Sequence, residues 1–367
     1  MRAFLAPVLF AALALVGCGR EQPQSAATPA NAPAPAVEPA PAPARFNVAW
    51  SHYTGWEPWG YAAHAGILKK WADKYGIEIE LTLVNDYIES INLYTAGKFD
   101  ACVMTNMDAL TIPAAGGVDS EAIVIGDYSN GNDGIVMKNG ATVADLKGRS
   151  INLVELSVSH YLLARALDQN GMSERDVTLV NTSDADIASV FTTDPNGAAV
   201  TWNPPLMQAR KAPGANLVFD SSNIPGEILD LMVVRTAAPD SLKQALTGAW
   251  YETMGILSTP GAARDAAVQW MAESSGGSVE EFEAQLKTTA MYYAPADGAA
   301  VANSAEIKAT MERVRQFSFS KGLFGQGAAS ADAVGVAFPD GTVQGDAQNV
   351  KLRFSAKWMQ AAADAQL

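Results

Sequence analysis

The chain has 367 residues, a formal net charge of −14 and 49% apolar residues. That length suits about two domains, and the apolar share is ample for buried cores. The acidic balance excludes nucleic acid and anionic membrane surfaces as electrostatic partners.

The chain opens on "MRAFLAPVLFAALALVGCGR", with a basic residue at position 2, an apolar run and a small-residue ending. This is the pattern of a secretory signal. Leu15-Val16-Gly17-Cys18 matches the bacterial lipobox, which implies that Cys18 becomes the lipid-modified first residue after cleavage. An ordinary signal peptide or a short membrane helix is the alternative. Residues 19–45 are Pro/Ala-rich with almost no large apolar side chain, and read as an extended tether. The expected layout is a signal over 1–18, a tether over 19–45 and a globular body from Phe46. An anchor of this kind places the body at the cell envelope, on the periplasmic side of the membrane.

Within the body, β-rich runs alternate with helical periods. "FNVAW" leads into "WGYAAHAGILKKWADKYG", closed by Gly76; "IEIELTLV" leads into "YIESINLYTAG", and "DACVM" into "DALTIPAAGG". Further on, "SINLV" precedes "SHYLLARALDQNG", "VTLV" precedes "ADIASVF", and "AAVT" precedes "PPLMQARK". Such alternation predicts parallel sheets with helices on their faces. From about Asp240 the segments become mostly helical, with no repeat at a fixed period. Cys102, in "FDACVMTN", has no cysteine partner in the body and reads as a small buried hydrophobe.

Ligands of open α/β sheets bind beyond the carboxyl ends of the strands. Those positions hold Ser51-His52-Tyr53, Asn85-Asp86, Thr105-Asn106 with Asp108, then Glu155, Ser183-Asp184 and Trp202-Asn203. They carry four acids and no Lys or Arg. Helix capping competes for Asp86, Asp108 and Asp184, because Asp is a preferred N-cap. Glu155 stands apart, since Glu caps poorly and Ser157 follows to do that work. Tyr53 and Trp56 lie in the loop "SHYTGWEPWGY", and Trp202 precedes Asn203-Pro204-Pro205. Trp59 and Tyr61, at helical positions, suit core packing instead. Aromatic faces together with carboxylates suit a small cation.

At "GILKKWADKYGIEIE", "NDYIESINLYTAGKFDA", "TNMDALTIPAAGGVDSEAIVIGDYSNGND", "NLVELSVSHYLLARALD" and "VTWNPP" the chain resembles solute-binding proteins of ABC importers, of the nitrate/sulfonate/taurine type. Within that group it is similar to the branch found beside urea carboxylase. The resemblance covers most of residues 46–240. It implies an α/β, two-lobed periplasmic binding protein of type II (a "Venus flytrap") with the ligand cleft between the lobes. Lobe one is expected over 46–130 plus 236–367 and lobe two over 131–235, with crossings near Tyr128–Ile135 and Leu231–Arg235. The implied partners are an ABC permease and its ATPase. The protein itself is expected to be a monomer with no cofactor, touching the membrane only through its anchor.

Nitrate and sulfonate binders need donors and positive charge in the cleft, whereas this chain offers Glu155 and Asp108. Guanidinium is planar, permanently charged and made only of donors, so a carboxylate can pair with it bidentately. Urea, the alternative, is neutral and has a carbonyl that wants a donor such as Asn106, His52 or Ser159. Two carboxylates buried beside neutral urea would cost several kcal/mol or force one to protonate, an order of magnitude typical of unpaired buried charge. The expected ligand contacts are Tyr53, Trp56, Asp86, Asn106, Asp108, Glu155, Ser159, Trp202 and Asn203. Enzymes share this fold, relatives that make the thiamine pyrimidine among them. The chain lacks GxxxxGK[ST], HExxH and GxSxG, and His52, His64 and His160 have no metal-ligand spacing, so neither a catalytic residue nor a metal is expected.

Overall fold

The structure is a computed structural model and describes residues 42–367. The signal, Cys18 and the tether up to residue 41 lie outside the described residues.

Residues 43–367 form one compact unit built on two sheets. The first sheet begins with β1 (Ala44–Trp50), β2 (Ile77–Leu83), β3 (Ala101–Thr105) and β4 (Ser120–Ser129). The chain then builds the second sheet from β5 (Asp133–Lys138), β6 (Ser150–Leu153), β7 (Thr178–Asn181), β8 (Ala198–Trp202) and β9 (Ala215–Asp220). It returns to the first sheet with β10 (Leu229–Arg235), and β11 (Thr289–Met291), β12 (Gly335–Ala337), β13 (Val343–Gln344) and β14 (Val350–Phe354) complete it. The orders are β13-β12-β14-β4-β10-β3-β1-β2, with β11 on β4, and β7-β6-β8-β5-β9.

Helices α1 (Glu57–His64), α2 (Ile67–Lys74), α3 (Tyr87–Thr95) and α4 (Asn106–Ala109) belong to the first βα units. Those that follow strands of the second sheet are α5 (Val158–Gln169), α6 (Asp184–Thr193) and α7 (Pro205–Arg210). The C-terminal part supplies α8 (Asp240–Ser258), α9 (Ala262–Ser274), α10 (Val279–Leu286), α11 (Pro295–Ala302), α12 (Ala305–Ser320) and α13 (Lys357–Ala363). Among the described residues no helix is long and apolar enough to cross a membrane.

Three expectations need correction. The stretch ending at Gly76 is two helices, because Gly66 takes a left-handed φ of 73° between α1 and α2. The sheets are mixed, not purely parallel: β10 runs antiparallel to both β3 and β4, and β5 antiparallel to β8 and β9. The second crossing lies earlier than Leu231–Arg235, because β10 is hydrogen-bonded into the first sheet and the chain changes sheets between β9 and Leu229.

The two crossings are stitched together by short polar side chains. Ser129 and Ser221 share a 2.6 Å hydroxyl contact, and the Gly131 N–H donates to Ser221 Oγ at 2.7 Å. The Asn132 carbonyl oxygen accepts from the Asn203 N–H at 2.9 Å. Its side-chain Oδ1 accepts from Asn203 Nδ2 and Thr288 Oγ1, each at 2.6 Å. These bonds satisfy backbone and amide groups that burial would otherwise leave unpaired.

Candidate functional site

A cavity lies where strand ends of both sheets meet the first crossing. Tyr53, Trp56, Tyr87 and Trp202 supply its rings, and Asp133 and Asp230 its charge; Thr105, Val158 and Ile228 complete the lining. Its free volume is only about 10 Å³, room for about one water molecule and far below the roughly 300–1,000 Å³ of sites for drug-sized ligands. Any ligand it takes must be very small, with the lining shifting slightly to admit it.

The rings form a connected wall. Tyr53 meets Trp56 edge-on at 5.1 Å between centroids, Trp56 meets Tyr87 at 5.2 Å, and Tyr87 meets Trp202 edge-on at 5.5 Å. Tyr53 and Trp56 come from the β1–α1 loop, Tyr87 starts α3, and Trp202 ends β8. The wall therefore draws on both sheets.

Four aspartates stand around this wall, all buried: Asp108, Asp127, Asp133 and Asp230. Asp127 on β4 and Asp230 on β10 are directly opposed register partners. Tyr53 donates its hydroxyl to Asp127 Oδ1 at 3.4 Å. On Asp108, Oδ2 accepts from Tyr87 Oη at 2.7 Å and Thr105 Oγ1 at 2.9 Å. The oxygens Asp108 Oδ1, Asp127 Oδ2 and Asp230 Oδ2 are buried with no hydrogen-bond partner among the described residues. Among the described residues, neither Lys, Arg nor His lines the cavity.

Burial without a cation dominates the electrostatics. It pushes Asp108 up to about 6, against the bonds from Tyr87 and Thr105 that favour its charged form. A weaker pull comes from the Val158 N–H at the start of α5, which faces this carboxylate without completing a bond. Burial also raises Asp133 to about 7, with the Asp108 charge adding to the shift. Asp127 and Asp230 are both pushed up by burial, Asp230 further by the charges of Asp127 and Asp133. Desolvation and like charge thus act in the same direction.

Of the sequence-predicted contacts, Tyr53, Trp56 and Trp202 line the cavity, and Asp108 stands beside it. Asn106 is buried but spent on the second crossing: its Oδ1 accepts from the Leu229 N–H at 3.0 Å and its Nδ2 donates to the Glu227 carbonyl at 3.2 Å. Asn203 is likewise spent, on Asn132 and on the Met207 N–H. Asp86 caps α3 by accepting from the Glu89 N–H and also accepts from Ser183 Oγ at 3.2 Å, a bond from the α6 cap to the α3 cap. Ser159 is buried with an unpartnered hydroxyl, next to the lining residue Val158.

Glu155 is exposed and does not line the cavity. Ser157 closes the turn by donating to the Val154 carbonyl and capping Ser159, while Leu156 adopts a left-handed φ of 66°. This geometry carries Glu155 and Leu156 to the outside and turns Val158 inward. The carboxylates at the site come instead from Asp127, Asp133 and Asp230, which strand-end reasoning missed. Their signal was a single acid within an otherwise apolar strand, as in "IVIGDY", "NDGIVM" and "ILDLMVV".

Residues 61–236 match the NMT1/THI5-like family model. No curated protein sequence matches the chain. Among solved structures, the alkanesulfonate-binding protein SsuA from Xanthomonas axonopodis pv. citri, bound to MOPS, is 19% identical with a TM-score of 0.63, covering 80% of this chain and 99% of that one. The periplasmic aliphatic sulphonate-binding protein SsuA from Escherichia coli is 17% identical with a TM-score of 0.61, covering 77% and 88%. A Candida albicans protein with the generic periplasmic binding protein fold is 13% identical with a TM-score of 0.56, covering 74% and 90%. The chain therefore has the two-lobed α/β fold of periplasmic binding proteins.

Proposed function

We propose that this chain is the solute-binding component of an ABC importer and captures a small planar cation, guanidinium, for delivery to a membrane permease. The observation that carries the reading is the set of four buried aspartates, three with an unpartnered oxygen, beside a wall of four rings and no basic side chain in the lining. A cation with N–H donors in several directions would satisfy those oxygens, and the ring faces would attract it. A sulfonate or nitrate in the same cavity would meet carboxylates with no compensating charge.

An organic cation fits better than a metal ion. Among the described residues, no three His, Cys, Asp or Glu side chains converge as a metal site would require. Binding rather than catalysis is supported by the relatives' stated roles as binding proteins. Those roles, with the signal pattern ending at Cys18, support a periplasmic location and a lipid anchor.

One observation favours urea as the second reading. Trp56 Nε1 is a buried donor without a partner, and a urea carbonyl would accept from it, whereas guanidinium has no acceptor. A thermal-shift screen with guanidinium, urea, nitrate, methanesulfonate and choline separates these readings, because only a ligand that prefers the native state raises the melting temperature. Guanidinium is expected to raise it most. A rise with nitrate or methanesulfonate and none with guanidinium overturns the proposal.

A further inference from the structure

We propose that the Asp127–Asp230 pair is the charge filter of this cavity: one proton bridges the two carboxyl groups when it is empty, and the arriving cation replaces that proton. The inference rests on the guanidinium reading and specifies how the site rejects neutral ligands.

The geometry begins with strand register. Asp127 and Asp230 are direct partners across β4 and β10, where side chains on one face stand about 4.5–5.5 Å apart at Cβ. Both are buried, and each keeps one oxygen without a partner. The β1–α1 loop closes over the pair. A Cβ on Gly55 would lie 2.3 Å from Asp127 Oδ2, so only glycine lets that loop backbone approach so closely.

The titratable groups around the pair act in both directions: the nearby Asp133 charge opposes its full ionisation, and the Tyr53 hydroxyl favours it by hydrogen bonding. Tyr53 faces the pair from the loop, Asp133 from the start of β5, and Tyr292 and Tyr293 from the segment after β11, while Asp108 on α4 acts on Asp133. Asn132 is a further polar neighbour, its amide reaching Tyr53 Oη at 3.5 Å. Two carboxylates in contact cannot both hold a charge in such surroundings, so they share a proton. Burial raises both groups, and the Asp127 charge raises Asp230 further while a bond from Asp230 pulls Asp127 back down, as suits a pair holding one proton.

When a cation enters, the bridging O–H bond breaks and the proton passes to buffer. The electron pair stays on the carboxylate oxygen, which then accepts an N–H of the ligand. A neutral ligand supplies no charge to replace the proton and leaves it in place. The association constant for a cation therefore rises by up to tenfold per pH unit while the pair still holds its proton, then levels off.

Titration calorimetry of the purified protein with guanidinium chloride, near pH 6.5 in phosphate and in Tris, counts the protons released through the difference in buffer heat. At least one proton per guanidinium is expected, with any excess coming from Asp133 and Asp108, and none for urea. Asp230→Asn and Asp127→Asn should each bind guanidinium more weakly, release about one proton fewer than the wild type and flatten the pH slope. They lie on different strands, so either one carries the test if the other misfolds. Guanidinium binding without proton release, or wild-type release from both folded variants, overturns the inference and leaves the guanidinium reading standing. Absence of guanidinium heat in the wild type overturns both.

Discussion

Two buried acidic places in this molecule look alike in composition and differ in every partner. Glu227, in the second crossing, accepts from Tyr161 Oη at 2.5 Å, from Arg165 Nε at 2.9 Å and from Arg165 Nη2 at 3.0 Å, with Arg313 Nε 3.4 Å away. Burial pushes it up, but the bonds from Arg165 and Tyr161 outweigh that and hold it below the usual carboxylate range. Asp127, Asp133 and Asp230 are buried more deeply, have no cation beside them and are pushed up. Glu227 belongs to the framework, tying α5 to α12 across the crossing. The aspartates face one another with no counter-charge among the residues that line the cavity. A buried acid is informative about function when its counter-charge is missing.

The largest expected break in this comparison comes from Asp230→Asn. Guanidinium affinity should fall by ~2–5 kcal/mol, or roughly 30-fold to several thousand-fold, as for loss of a buried charge-assisted pair. The ligand-free melting temperature should hold or rise, because an uncompensated acid has been removed. Calorimetry and a melting curve on the same sample check both halves.

Next in size is the pH dependence of the ligand-free protein. Asp108 and Asp133 have native values of about 6 and about 7, above their unfolded values, so the native state binds more protons than the unfolded one between about pH 4 and pH 7. Their contribution to stability is full below that window and lost as pH rises through it. Each pH unit by which a native value exceeds the unfolded one is worth about 1.4 kcal/mol. The ligand-free protein should melt at a lower temperature at pH 8 than at pH 5, and the increment given by guanidinium should grow with pH. Melting curves across that range, with and without ligand, measure it.

Glu227→Gln sharpens the comparison from the other side. Breaking this clamp should cost about 1–3 kcal/mol of stability, less than for a fully buried pair because Arg165 and Arg313 are partly exposed. Urea denaturation reads the loss. A stability gain like that expected for Asp230→Asn would mean the two places are not different in kind.

Trp202→Ala should weaken guanidinium binding by ~1–3 kcal/mol through lost packing and cation–π attraction. Quenching of tryptophan fluorescence on binding gives a second readout. Smallest of all is Glu155→Gln, where an exposed turn residue should change guanidinium affinity by less than about 0.5 kcal/mol.

The alternation of strands and helices, the aromatic loop and the first crossing region were legible in the sequence because each depends on local pattern. Trp202 and Asp108 were legible because they sit at strand ends. Asp127, Asp133 and Asp230 were not. Their meaning depends on β10 lying between β3 and β4, a pairing that joins residues about a hundred positions apart in sequence. Glu155 misled for the opposite reason: its strand-end position was right, but the left-handed Leu156 turned it outward. Asn106 and Asn203 had the right chemistry for a ligand but were consumed by the crossings. The C-terminal strands β12 to β14 are short and sit among helices, so they carry little periodic signal.

The most direct measurement is a crystal structure of the protein grown with guanidinium chloride, at a resolution that separates a planar four-heavy-atom ligand from water. The account predicts a planar density among Tyr53, Trp56, Tyr87 and Trp202, with nitrogens within hydrogen-bond distance of Asp230 and of Asp127, Asp133 or Asp108. Guanidinium absent from this cavity while bound elsewhere, or an anion found among the four aspartates, would contradict it.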